Sequence, residues 1–139
     1  MKVYIVCSKA FYEKIPPLKA TLEAAGHAIT LPNSFDNPTK EFEMKKLGAA
    51  EHAGWKGEKL REGLAKVHNC DVVLVLNFEK NGQPGYIGGA TFMEVAEAWV
   101  HHKPLYFYNP IPEGMLHDEL IAMTPTIING DLSLIEESK

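Results

Sequence analysis

The residues with the clearest chemical potential lie in segment 85–94, which combines three glycines with the carboxylate of Glu94. The segment follows the apolar run 71–77, typical of a buried strand, and opens a helical pattern that extends to about residue 102. A glycine-rich turn between a strand and a helix exposes backbone N–H groups and a positive helix end at the carboxyl edge of a sheet. We expect Glu94 in or near the first helical turn, where the dipole favours the ionised carboxylate that a nucleophile or a ligand-binding acid needs.

The glycine segment matches no common nucleotide-binding motif. It has neither the Gly-Lys-Ser/Thr of a P-loop nor the glycine spacing of G-x-G-x-x-G. A carboxylate at a helix start is also a common surface residue, so the segment alone leaves a structural role open. Helical phase places Glu94 almost opposite an apolar stripe, which frees it from the core. The stripe consists of Phe92, Val95, Ala96, Trp99 and Val100.

Composition restricts the class of protein. A chain of 139 residues with 45% hydrophobic residues suits one globular domain, residues 1–139. The net charge of −4 argues against a nucleic-acid-binding surface. No apolar run approaches membrane-spanning length, and the amino terminus leads directly into a strand. We therefore expect a cytoplasmic protein that binds neither membranes nor nucleic acid.

The cysteines and histidines indicate no metal or disulfide. In the fold expected for this chain, Cys7 and Cys70 lie near opposite edges of the sheet, beyond disulfide reach, so both should be free thiols. The six histidines form no H-x-x-x-H or H-E-x-x-H pattern. We expect neither a metal site nor a cofactor.

Strand and helix patterns alternate along the chain. Apolar runs predict strands at 2–7, 27–31, 71–76, 104–108 and 126–129. Helical patterns cover 9–25, 39–52, 58–68, about 90–102 and 113–123, and the chain ends in a helix or tail. Pro16 and Pro17 should kink or restart the first helix, and Gly26 should end it. Gly48 and Gly54 are expected to interrupt the chain between 39 and 58.

This order predicts an α/β fold: a single-domain, doubly wound, five-stranded parallel sheet in the order 2-1-3-4-5, flavodoxin/Rossmann-like. Ligands of such sheets bind at the carboxyl ends of the first and third strands. That edge collects Cys7, Ser8, Asn77, loop 78–89 and Asn109. The polar stretch 33–54 is either a mobile flap over this cleft or a solvated surface helix.

Three parts of the chain together resemble the nucleoside 2-deoxyribosyltransferase superfamily, which includes 2′-deoxynucleoside 5′-phosphate N-hydrolases. Residues 4–8 followed by 12–14 and Gly26 are similar to the family's first strand, substrate loop and helix. Residues 69–77 are similar to its central strand. Residues 85–94, with Ala98 and the Lys-Pro pair at 103–104, are similar to its glycine loop, catalytic glutamate and following strand.

The resemblance implies an N-glycosidase or transferase acting on a (deoxy)nucleoside or its monophosphate, with Glu94 as nucleophile and Ser8 in the substrate loop. Lys9 stands near the position of a phosphate-binding arginine, and Gly88 where transferases carry an aspartate. The resemblance also implies a homo-oligomer. The expected substrate-binding residues are Ser8, Lys9, Asn77, Tyr86, Gly88, Gly89 and Asn109. The alternative is a non-catalytic module that binds a nucleotide or nucleoside sugar.

Overall fold

The computed structural model describes residues 1–136, in which strands and helices alternate around one sheet. The strands are β1 (Lys2–Val6), β2 (Ala28–Thr30), β3 (Val72–Val75), β4 (Leu105–Phe107) and β5 (Thr126–Ile127). The α-helices are α1 (Ile15–Ala24), α2 (Lys40–Leu47), α3 (Ala49–His68), α4 (Gly89–Val100) and α5 (His117–Ala122). Short 3₁₀ helices cover Lys9–Lys14 and Leu132–Leu134. The very end of the predicted terminal helix or tail, residues 137–139, lies outside the described residues.

The sheet confirms the predicted fold class. Its five strands are all parallel and follow the order β2-β1-β3-β4-β5 within a single domain. Tyr4 of β1 lies opposite Val73 of β3 in the central pair. Strand β2 is added on one side of β1, whereas β3 and the later strands are added on the other side. This change of direction places a crevice at the carboxyl ends of β1 and β3.

Helices cover both faces of the sheet, so its central strands are apolar on both sides. Val3 and Ile5 pack on the face covered by the first 3₁₀ helix and α1. Tyr4 and Val6 point to the other face, where they meet residues of α3, α4 and α5. Because side chains alternate along β1, Tyr4 lies on the same face of the sheet as α4. Tyr4 is only 1% exposed.

The prolines restart the first helical segment as predicted. A 3₁₀ helix runs to Lys14, and α1 then begins at Ile15 with prolines in its first turn. Proline is tolerated there because the first N–H groups of a helix have no internal partner. Gly26 follows α1 with φ of 95°, the left-handed conformation that commonly ends a helix.

The predicted break at Gly54 is wrong. Helix α3 runs from Ala49 to His68 without interruption, through both Gly54 and Gly57. An isolated glycine costs a helix only about 1 kcal/mol relative to alanine, which the packing of α3 against α4 offsets. The real break is at Gly48, whose φ of 136° is accessible essentially only to glycine.

The other predicted helices and strands are present with shorter bounds. Helix α5 begins at His117 and excludes Gly114, whose φ of 125° a helix cannot contain. Cys7 and Cys70 are buried free thiols, as expected. Within residues 1–136, no helix combines the length and the apolar character that crossing a bilayer requires.

Candidate active site

A cavity of about 370 Å³ lies beside the carboxyl ends of β1 and β3. Its wall combines the start of the chain after β1, the loop after β2, helices α2 and α3, and the glycine turn before α4. This is the crevice that the strand order predicts, and its size suits a small organic ligand. The functional groups of its lining include those of Tyr4, Cys7, Asn33, Glu41, Lys56 and Glu94.

Glu94 lines this cavity from the second turn of α4, as the sixth residue of Gly89–Val100. Glu94 therefore lies near the first turn of α4 but not in it, and the first turn contains no acidic residue. The side chain is half-buried, and its Oε2 atom accepts a hydrogen bond from the hydroxyl of Tyr4. A carboxylate at the cavity wall is thus held in one orientation by a buried phenol from the central strand.

The electrostatic environment of Glu94 differs from the sequence-based expectation. Burial raises the pKa of its carboxyl group to about 7, although the Tyr4 hydrogen bond and the charge of Lys66 act in the opposite direction. The helix dipole does not reach the second turn strongly enough to hold the group ionised. Glu94 is therefore poised to change its charge near neutral pH.

Lys66 is the cation associated with Glu94, but it is occupied elsewhere. Its Nζ donates to the backbone oxygen of Leu31 at 2.8 Å and lies 5.9 Å from the centre of the Tyr4 ring. Burial lowers the pKa of this ammonium group. Lys66 thus supplies a favourable field to Glu94 without a direct ion pair that would quench it.

Gly63 of α3 provides the space that Glu94 occupies. A Cβ atom at position 63 would lie 2.9 Å from Glu94 Oε2 and 3.2 Å from its Cδ. The same atom would lie 3.4 Å from the side-chain nitrogen of Asn33. Any larger residue at this position would therefore push the carboxylate away from its present place.

Two further acidic protons of the cavity are held tightly. Burial, followed by the charge of Glu94, raises the pKa of the Tyr4 hydroxyl far above its ordinary value. The same two causes raise the pKa of the Cys7 thiol to about 12. Because a thiolate is the reactive form of cysteine, Cys7 is inert at neutral pH.

A second carboxylate, Glu41 of α2, reaches the cavity wall and contacts two lysines and a histidine. It receives hydrogen bonds from Lys9 at 2.9 Å, from Lys56 at 3.3 Å, and is 2.9 Å from Nε2 of His52. Burial alone would raise its pKa, but these hydrogen bonds outweigh burial and lower the pKa to about 2. Glu41 therefore links α2 to α3 and to the 3₁₀ helix after β1.

Asn33 carries an unused acceptor at the cavity wall. Its Nδ2 donates to the backbone oxygen of Lys59 at 2.7 Å, which fixes the orientation of the amide. Its Oδ1 atom is buried and has no hydrogen-bond partner within the described residues. A buried acceptor of this kind is uncommon in folded proteins and suits a donor group of a bound ligand.

Most of the predicted substrate-binding residues do line the cavity: Ser8, Lys9, Tyr86, Gly88 and Gly89. Ser8 caps the 3₁₀ helix by accepting a hydrogen bond from the Ala10 amide at 3.4 Å. Gly88 is the N-cap of α4. The ammonium group of Lys80 lies over the ring of Tyr86, 4.7 Å from its centre. Of the stretch 33–54, Asn33, Ser34 and Glu41 contribute to the wall.

Asn77 and Asn109 lie outside the cavity wall. Asn77 is completely buried, and its Nδ2 donates to the backbone oxygens of Asn109 and Pro110 at 2.9 and 3.1 Å. Its Oδ1 accepts from the Asn109 amide at 2.9 Å, and Asn109 returns a hydrogen bond to the Asn77 backbone. This reciprocal pair ties the chain after β3 to the chain after β4, which is a structural function.

The sequence interpretation missed Tyr4, Asn33, Glu41, Lys56 and Gly63, all of which line the cavity. Only Tyr4 stands in a segment that carries the family resemblance, where the sequence assigned it no site role, and all five reach the site through the packing of distant elements. Together, fold and cavity define a flavodoxin/Rossmann-like α/β protein with a carboxylate-centred cleft at the sheet's crevice. No family model, curated protein or solved structure matches this chain.

Proposed function

We propose that this protein cleaves or transfers the N-glycosidic bond of a (deoxy)nucleoside or its 5′-monophosphate, with Glu94 as the nucleophile. The observation that carries the proposal is the Glu94 carboxyl group itself: it lines the cavity, accepts a hydrogen bond from Tyr4, and has a pKa raised to about 7 by burial. Catalytic carboxylates commonly combine a cleft position with such a perturbed pKa. The family resemblance of segment 85–94 supports the same assignment.

The first chemical step uses only Glu94. Its ionised carboxylate attacks the anomeric carbon of the sugar, the bond from that carbon to the base nitrogen breaks, and the base leaves with the electron pair. The departing base takes up a proton from solvent water. Water or a second base then attacks the same carbon and releases the carboxylate, which gives hydrolysis or transfer respectively. The Tyr4 hydroxyl donates to Oε2 and so orients the carboxylate for this attack.

The cations of the cavity favour a phosphorylated substrate. Lys9, Lys56 and Lys80 all line it, and a monophosphate would bring the negative charge that they attract. Lys9 and Lys56 already share Glu41, so a phosphate would compete with that carboxylate. A free nucleoside would leave these contacts undisturbed.

One observation favours the alternative, a non-catalytic nucleotide-binding module. The only carboxyl groups among the described residues of the cavity wall are Glu94 and Glu41, and no histidine lines it. Glu41, with its pKa near 2, carries no proton to give to a departing base. A binding protein needs no such donor, and Asn33 Oδ1 would accept a ligand donor in either case.

Incubation with a panel of deoxynucleosides and their 5′-monophosphates tests the proposal. Released base is measured by reverse-phase chromatography for the natural protein, Glu94→Gln and Glu58→Gln. Glu58 is exposed on α3, so its variant controls for the loss of one negative charge. We expect release with the natural protein and with Glu58→Gln, and a loss of at least about 10³-fold with Glu94→Gln.

The outcomes separate the two functions. Undiminished base release by Glu94→Gln would overturn the assignment of the nucleophile. Saturable thermal stabilisation by a nucleotide without any release would favour the binding module. If no member of the panel releases base and none raises the melting temperature, both functions are contradicted.

A further inference from the structure

A group of metal-ligating side chains lies at the end of the sheet opposite to the cavity. His68 is the last residue of α3, whereas Glu97 and His101 are one turn apart at the end of α4. One ligand atom from each of the three lies within 4.8 Å of the others. The Nε2 atoms of both histidines lie 2.9 Å from the same oxygen, Oε1 of Glu97, and the imidazole centres are 4.2 Å apart.

The donor set is specific in its chemistry. Two imidazole nitrogens and one carboxylate oxygen suit zinc and its transition-metal neighbours, whereas magnesium and calcium prefer oxygen ligands alone. A tetrahedral zinc ion would set its donor atoms roughly 3.3 Å apart. The two separations of 2.9 Å between Glu97 Oε1 and the imidazole nitrogens need to open by a few tenths of an ångström. The ligand nitrogens of the two histidines, which lie within 4.8 Å of each other, need to reach the same separation of roughly 3.3 Å. Each neutral imidazole would carry its proton on Nδ1 and present Nε2 to the ion.

The surroundings leave the group accessible. The three side chains are between 28% and 45% exposed, so an ion can enter from solvent and keep water in its fourth position. The neighbouring ammonium of Lys103 is held by the backbone oxygens of Cys70 at 2.8 Å and His68 at 3.4 Å. It forms no ion pair with Glu97, which remains available to a metal.

We propose that His68, Glu97 and His101 form a binding site for one divalent transition-metal ion of the zinc type. The ion would replace two hydrogen bonds by coordinate bonds and so clamp the carboxyl-terminal ends of α3 and α4 together. These helices also carry Gly63 and Glu94, which face each other at the cavity. The clamp is structural, and it is independent of the function proposed for the cavity.

Calorimetric titration of chelator-treated protein with Zn²⁺ tests the site directly. We expect one equivalent to bind the natural protein, and Mg²⁺ not to compete. His68→Ala and His101→Ala should each weaken binding by more than about tenfold, because each removes a direct ligand. The natural protein should also melt at a higher temperature in excess Zn²⁺, and neither variant should. All three positions are exposed or half-buried, so the variants are expected to fold.

His117→Ala is the matched control. His117 also lies beside two carboxylates, Glu113 at 3.6 Å and Asp118 at 3.3 Å. Among the described residues, no second imidazole joins these three side chains in a metal-ligating group. His27→Ala tests the amino terminus, whose nitrogen lies 3.2 Å from the His27 ring. Both should bind Zn²⁺ like the natural protein. Saturation only at millimolar Zn²⁺, equal affinity in His68→Ala, or loss of binding in either control would overturn the site.

Discussion

The cavity contains two carboxylates whose acidities move in opposite directions. The pKa of Glu94 is raised to about 7, whereas that of Glu41 is lowered to about 2. Both are removed from water to a considerable degree, since the Glu41 side chain is only 16% exposed and Glu94 is half-buried. Burial alone therefore cannot explain the difference between them.

The partners of each carboxylate explain the difference. Glu94 receives one hydrogen bond from the neutral hydroxyl of Tyr4, and Lys66 acts on it only through its field. Glu41 receives charge-assisted contacts from Lys9 and Lys56, and Nε2 of His52 lies 2.9 Å from it. Hydrogen bonds from cations are about twice as strong as those between neutral groups, so they overcome desolvation where a phenol does not. The comparison supports the proposal that Glu94 is the reactive carboxylate, and it gives Glu41 a charge-pairing position between α2 and its neighbours.

The largest expected effect comes from moving Glu94 without changing its chemistry. Gly63→Ala places a methyl group 2.9 Å from Glu94 Oε2, so the carboxylate must shift. A displacement of about 1 Å at a reacting group can cost about 100-fold in rate. We expect kcat/KM for base release to fall by about that factor, measured at a pH above 8 where Glu94 is ionised.

Gly57→Ala is the control, because nothing lies within 4 Å of a Cβ at that position of the same helix. Alanine favours a helix over glycine by about 1 kcal/mol, so this variant should melt higher with unchanged activity. Equal kinetic behaviour of the two alanine variants would show that the position of Glu94 next to α3 has no importance.

The next effect is a change of roughly 1–2 kcal/mol in the free energy of unfolding with pH. The change has opposite signs for Glu94 and Glu41. The folded pKa of Glu94 lies above its unfolded value of about 4.3, so its stabilising contribution is complete below that pH and is lost as pH rises through 7. The folded pKa of Glu41 lies below the same reference. Its contribution is complete above about 4.3 and is lost as pH falls through 2.

Urea unfolding of Glu94→Gln and Glu41→Gln at pH 5 and pH 8 measures this contrast, because the contribution of Glu94 changes between these values and that of Glu41 does not. Relative to the natural protein, Glu94→Gln should gain stability between pH 5 and pH 8, since it removes a carboxylate that must ionise inside the fold. Glu41→Gln should be less stable at both values. A gain by Glu41→Gln at pH 8 would mean that its cations do not compensate its burial.

A smaller effect concerns the hydrogen bond from Tyr4, which lowers the pKa of the Glu94 carboxyl group. Tyr4→Phe removes the one direct contact that lowers the pKa of this carboxyl group, so the pKa should rise by about one unit. Nuclear magnetic resonance titration of the Glu94 carboxyl carbon measures this shift whether or not the protein is an enzyme. Tyr106→Phe is the control, because Tyr106 does not line the cavity. An unchanged or lower pKa in Tyr4→Phe would show that the phenol does not stabilise the charged form.

The sequence was sufficient for the fold because the fold depends on local patterns. The conformations of the apolar run 71–77 and of the turns at Gly26 and Gly48 follow from their own residue types. The alternation of strands and helices then predicts the observed strand order. Gly54 misled the interpretation because glycine propensity is weak and the contacts of α3 with α4 override it.

The site was only partly predictable because its decisive contacts join distant residues. Glu94 stands out through the glycine segment, but Tyr4 is 90 positions away in the sequence and Gly63 lies on another helix. The acidity of Glu94 depends on these neighbours and not on its own segment. His68 likewise joins Glu97 and His101 across two helices, outside any spacing pattern of histidines. Such contacts follow from the packing of α3 on α4, which no single segment specifies.

The smallest effect probes whether Glu41 competes with a substrate phosphate. Lys9 Nζ lies 2.9 Å from Glu41 Oε1 and Lys56 Nζ lies 3.2 Å from Oε2. A neutral glutamine would hold both lysines less strongly. Glu41→Gln should therefore tighten binding of a deoxynucleoside 5′-monophosphate by about threefold, or less than 1 kcal/mol, with no change for the free nucleoside. Lys9→Ala should weaken the monophosphate selectively.

Calorimetry on both ligands provides the measurement for this last comparison. Glu23→Gln is the control, since Glu23 pairs with Lys19 on α1 and neither residue lines the cavity. If Glu41→Gln weakens the monophosphate instead, Glu41 arranges the lysines for the phosphate and does not compete with it. Equal changes for both ligands would indicate that the cations do not recognise phosphate at all. The low pKa of Glu41 would then reflect only the attachment of α2 to its neighbours.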